Sequence, residues 1–101
     1  MSYRLLIEPA ALKELGKLPP DLRRRLSDRI DRLAENPRPA SSEQLTGDLE
    51  GLRKDRMGHY RVVYEIAEAV QTVTVWGVGH RRFIYDKVVR RRRRRSGLAR
   101  T

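Results

Sequence analysis

The spacing of the apolar residues changes once along this chain, and that change decides the fold class. From residue 12 to residue 33 the large ones recur every three or four positions, and from residue 52 many recur every second one. Leu22, Leu26, Ile30 and Leu33 are spaced 4, 4 and 3, which sets them on one face of a helix. Arg23, Arg24, Asp28, Arg29, Asp31 and Arg32 lie off that stripe. Ahead of it, Leu12, Leu15 and Leu18 step by three behind Pro9, whose missing N–H costs nothing in a first helical turn. Pro19-Pro20 separates the two helices, and Asn36-Pro37 with Pro39 ends the second. The pattern predicts an antiparallel helical hairpin.

Period two governs the second half. Tyr60, Val62, Tyr64 and Ile66 share one face of a strand, and Arg61, Val63 and Glu65 share the other. Leu52 to Met57 precedes it across Gly58, and Val70 to Val78 follows across Ala67–Ala69, links short enough for hairpins. With Tyr3 to Ile7 as an opening strand, the order β-α-α-β-β-β predicts an α+β domain. Its parts are an N-terminal strand, the helical hairpin and a three-stranded antiparallel meander, with the helices on one sheet face. Residues 37–51 read as a polar connector. Leu52 conflicts with strict alternation, since Lys54 and Arg56 would then point inward too, and a bulge or frayed strand is expected there. Residues 81–89 read as a short C-terminal helix. The run Arg90 to Arg95 repels itself and predicts disorder. The expected division is one domain over residues 1–89 and an arginine-rich tail over 90–101.

Charge and composition narrow the function. Residues 1–80 hold 13 basic and 12 acidic residues, whereas residues 81–101 hold 10 basic residues and only Asp86. Most of the net charge of +10 therefore sits in the last fifth of the chain, which suits a polyanionic partner or a solvated tail. There is no cysteine, no apolar run approaching a membrane span and no targeting pattern, so a cytoplasmic protein without membrane association is expected. Glycine-rich phosphate loops, HExxH and nucleophile elbows are absent, as is any metal-ligand spacing. Neither a metal nor a cofactor is expected.

The candidate site is the sheet face opposite the helices. Arg61 interrupts an apolar strand and turns to that face, Arg53, Lys54 and Arg56 crowd the adjoining strand, and Arg81, Arg82 and Tyr85 follow the last one. Guanidinium groups beside a phenol ring suit single-stranded RNA, because the forks grip phosphates and the ring stacks on an unpaired base. Histidine is the side chain whose ordinary pKa lies nearest neutrality, and His59 and His80 have no partner identifiable from spacing.

Two stretches carry a resemblance. Gly51-Leu52-Arg53-Lys54-Asp55-Arg56-Met57-Gly58-His59-Tyr60-Arg61, continued by Val62 to Ile66, resembles the signature of the RelE/ParE toxin superfamily, and Val78-Gly79-His80-Arg81-Arg82-Phe83-Ile84-Tyr85 resembles its C-terminal ending. Ala10 to Leu15 and Glu35-Asn36-Pro37 are similar to the first helix and the second-helix exit of those toxins. The resemblance covers residues 3–89 and points to a RelE-type toxin of a toxin–antitoxin pair. It implies a microbial-ribonuclease-like fold, a cognate antitoxin that wraps the toxin, and ribosome-dependent cleavage of mRNA. Carried over, Arg61 and Arg81 meet the scissile phosphate, Tyr85 orients the cleaved nucleotide, and Lys54 activates the 2′-hydroxyl or contacts phosphate. Arg53, Arg56, His80 and Arg82 are expected to bind RNA. Lys54 and His80 both stand as the general base. Asp55 departs from the pattern, occupying a position that is usually apolar. A ParE-like gyrase poison and a non-catalytic RNA-binding member of the fold are the alternatives.

Overall fold

The computed structural model describes residues 2–99. Strand β1 (Arg4–Ile7) leads into α1 (Pro9–Gly16) and α2 (Pro20–Glu35). Then come β2 (Ser42–Gln44), β3 (Leu52–Met57), β4 (Tyr60–Ala67), β5 (Thr72–His80) and α3 (Ile84–Ala99). One sheet holds all five strands in the order β1-β5-β4-β3-β2. Strands β3, β4 and β5 form the expected antiparallel meander, and β1 joins β5 in parallel. The connector contributes β2, an edge strand too short and polar to show a period.

The hairpin of α1 and α2 covers one sheet face. Ala11, Leu15, Leu26, Ile30 and Leu33 pack there on Val62, Tyr64, Val73, Val75 and Val78. The last three do not alternate strictly. Tyr64 pairs with Val75 and Val63 with Gly77, so Trp76 is the extra residue of a bulge. The bulge keeps Val75 and Val78 under the helices and leaves Trp76 on the other face, with Leu49, Leu52, Val63, Ile84 and Val88. The irregularity expected in β3 is thus found in β5. β3 pairs with β4 in unbroken register from Leu52 to Met57. Its alternation is ordinary, with Leu52, Lys54 and Arg56 on the α3 side and Asp55 beneath the α1–α2 side. Asp55 is 1% exposed, accepts from Ser41 Oγ at 2.5 Å and pairs with Arg29 Nη1 at 3.2 Å. A buried charge persists only when paired and hydrogen-bonded in this way.

The arginine run corrects another expectation. Arg90 to Arg95 is helical, α3 having 16 residues where 81–89 was expected and lying on the face opposite the hairpin. Residues 100 and 101 of the expected tail lie outside the described residues. Arginine is a good helix former, and its self-repulsion is offset here by acids distant in sequence. Arg91 Nη2 binds Glu14 Oε2 at 2.5 Å, Arg93 pairs with Asp48 at 3.4 Å, Arg95 pairs with Glu8, and Arg92 donates to the Asp48 carbonyl at 3.2 Å. The Glu14–Arg91 pair also finishes the sheet. β1 stops at Ile7 opposite Val75, so the edge of β5 beyond it lacks a neighbour. Glu14 Oε1 accepts from the Val78 N–H at 3.1 Å, and Arg91 donates to the Trp76 carbonyl at 3.0 Å. Close approach of α3 requires Gly77, where a Cβ would stand 2.7 Å from Val88 Cγ2. No helix among the described residues is long and apolar enough to cross a membrane.

Candidate functional site

Alternation in β3 and β4 places three cations beside the end of α3. Arg56 and Arg61 are direct cross-strand partners and Lys54 is paired with Val63, so all three side chains leave the same sheet face. Arg61 is 8% exposed. Its Nη1 donates to the carbonyls of Gly58 and Tyr60, both at 2.9 Å, which fixes the guanidinium against the β3–β4 turn. That turn needs φ +59° at residue 58, a conformation glycine adopts without strain. On the other side Arg61 pairs with Gly79, over which Ile84 of α3 lies. Tyr85, one residue on, is half-buried, and Lys54 Nζ stands 5.8 Å from its ring centroid, within cation–π range.

Like charges placed directly opposite each other destabilise a sheet. Among the described residues no carboxylate pairs with Lys54, Arg56, Arg61, Arg81 or Arg82. The cluster is an unneutralised field beside a phenol ring, and a phosphate diester would relieve its repulsion. Arg81 and Arg82 are exposed at the corner between β5 and α3, where the Arg81 N–H donates to the His59 carbonyl at 2.8 Å and joins the two turns.

Two expected members stand elsewhere. Arg53 is turned to the other sheet face, where it donates to Ser42 Oγ at 2.9 Å, and so does not contribute to the basic surface with Lys54 and Arg56. His80 pairs with Tyr60 and meets its ring edge-on at 5.8 Å, on the face away from Arg61. Desolvation, then His59 and the neighbouring arginines, hold its pKa below the ordinary histidine value, and Nδ1 accepts from the Arg82 N–H at 3.2 Å. Sequence reading missed the contribution of Arg29, which binds Asp55 and also donates to the Arg56 carbonyl at 3.1 Å, anchoring β3 behind its cations. An acid inside an otherwise cationic strand was the available signal. No group of three or more His, Cys, Asp or Glu among the described residues could hold a metal ion.

A mixed sheet with a helical hairpin on one face and a cation cluster under a C-terminal helix defines a small α+β domain with one basic sheet face. Residues 5–85 match the family model of the ParE toxin of type II toxin–antitoxin systems, parDE. The toxin–antitoxin complex RelBE2 of Mycobacterium tuberculosis contains a chain similar to this one, with 28% identity and TM-score 0.73, over 80% of this chain and 100% of that one. The isolated E. coli RelE toxin is 30% identical with TM-score 0.67, over 89% and 98%. The archaeal RelE–RelB complex of Pyrococcus horikoshii contains a chain 30% identical with TM-score 0.66, over 80% and 97%. Among curated protein sequences none matches this chain. The protein belongs to the RelE/ParE superfamily of toxins and is of the RelE type.

Proposed function

We propose that this toxin is a ribosome-dependent endoribonuclease that cuts mRNA in the ribosomal A site and inhibits translation, and that a cognate antitoxin neutralises it. One observation carries the reading: Lys54, Arg56 and Arg61 share a face beside Tyr85 with no carboxylate among them. In the proposed reaction a ribose 2′-OH attacks its own 3′-phosphate, leaving a cyclic phosphate on one fragment and a 5′-OH on the other. Arg61 is held in place before substrate arrives, so its charge meets the phosphorane-like transition state without reorganisation. Arg81 supplies charge from the adjoining corner, Arg56 holds the backbone, and Tyr85 stacks on or orients the cleaved nucleotide. Lys54 shares the face of Arg61 whereas His80 does not, which favours Lys54 for contact with the 2′-hydroxyl. The relatives held in complexes with RelB support an antitoxin partner.

A second reading, a gyrase poison, is favoured by the match to the ParE toxin model. Primer extension on cellular mRNA after induction separates the two. Cuts within codons of translated messages are the expected result; intact messages with accumulating gyrase–DNA cleavage complexes would replace the first reading with the second.

A further inference from the structure

A groove of about 250 Å³ opens around the corner of the sheet from Arg61, between the end of α1, the ends of β4 and β5 and the first turns of α3. Its walls include Lys17, Leu18, Tyr60, His80, Phe83 and Lys87. Phe83 is 62% exposed, unusual for a phenylalanine in so small a protein. It is the outer member of an aromatic series. His59 and His80 stack at 5.9 Å and 21°, and His80 stands 5.9 Å from Phe83. Lys17, Lys87, Arg81 and Arg82 are exposed around it. Glu14, the carboxylate in the lining, is already engaged by Arg91 and the Val78 N–H.

We propose that the Phe83–His80 edge is a stacking platform for an unpaired RNA base flanking the cut, with Lys17 and Lys87 meeting the adjoining phosphates. The proposal rests on the nuclease reading and extends it to a neighbouring nucleotide. Exposed rings ringed by cations are what a single strand requires, because every base presents a π-face while the backbone needs positive charge. An apolar protein segment would desolvate these lysines without pairing them. The path is short, since Tyr60, paired with His80, adjoins Arg61 in the chain and Arg81 follows His80. A strand gripped at Arg61 passes the Arg81–Arg82 corner into the groove.

The test uses the full chain with ribosomes programmed by a message that carries a 2′-O-methyl group at the attacking ribose. 2-Aminopurine is placed in turn on either side of the cut, and binding is read from its quenching. Wild type and Phe83→Tyr are expected to quench it at one of the two positions. Phe83→Ala is expected to lose the quenching and to raise half-saturation about ten-fold. Equal quenching and affinity for wild type and Phe83→Ala would overturn the platform. So would an Ala variant that keeps RNA affinity but loses antitoxin affinity, which would give the groove to the protein partner. Unmodified message is assayed in parallel. If wild type fails to cut it, the nuclease reading falls and takes this proposal with it; if it cuts but nothing depends on Phe83, only the platform is lost.

Discussion

Two sets of basic residues lie on the α3 side of this sheet, and they differ in what faces them. Three α3 arginines meet acids: Arg91 meets Glu14, Arg93 meets Asp48 and Arg95 meets Glu8. The strand cations Lys54, Arg56 and Arg61 meet each other, a tyrosine ring and main-chain carbonyls. The acid-paired set ties α3 to distant parts of the chain, and the strand set is left with unsatisfied field. Local pairing, rather than the +10 total, locates the candidate chemistry.

The contrast can be broken from either side. Replacing Arg61 with Ala should have the largest effect, lowering the rate of message cleavage about 10²–10³-fold, as removal of one preorganised donor does. The loss should appear in single-turnover assays, with circular dichroism unchanged. Glu14→Ala attacks the other set. It strips Arg91 of its carboxylate and leaves the Val78 N–H unpaired, at an expected cost of about 2–3 kcal/mol, reduced from a fully buried pair by residual exposure. Urea denaturation reads the cost, and faster amide exchange confined to α3 and the adjoining edge of β5 would localise it. Gly77→Ala should destabilise by about 1–2 kcal/mol by forcing Val88 and Ile84 off the sheet.

A smaller effect is expected from His80. Protonation is disfavoured in the folded protein, chiefly by desolvation and then by His59 and the arginines. The unfolded chain therefore binds more protons as the pH falls through the ordinary histidine value of about 6.5. Stability is complete above that value and declines below it. Urea midpoints measured at about pH 8 and about pH 5.5 should fall further for wild type than for His80→Gln; parallel declines would refute the assignment. Smallest of all, Arg93→Ala should change stability by less than about 0.5 kcal/mol, because both partners of its ion pair are exposed.

Features set by near neighbours in sequence were legible, and those set by distant ones were not. The stripe Leu22-Leu26-Ile30-Leu33 and the alternation of β4 gave the hairpin, the meander and the direction in which Arg61 leaves the sheet. Strand β2 was hidden because an edge strand of three polar residues carries no period. Asp55 looked like a break in the pattern because Arg29, its ion-pair partner, and Ser41, which donates to it, come from elsewhere in the chain. The arginine run looked disordered for the same reason, its acids Glu8, Glu14 and Asp48 all lying far upstream. The bulge at Trp76 moved an irregularity from β3 to β5, and with it went the expectation that Arg53 would join Lys54 and Arg56. At the site, periodicity found the cation cluster, while the place of His80 depended on register.

The most direct measurement sets the two groups of arginines against each other in one assay. Arg61→Ala and an Arg93→Ala/Arg95→Ala double variant, the latter removing two acid-paired charges from α3, are compared for cutting of message on programmed ribosomes. The account predicts cleavage lost with the single strand residue and kept within a few-fold of wild type when the two helix charges are removed. Cleavage kept without Arg61 and lost with the helix charges would contradict it.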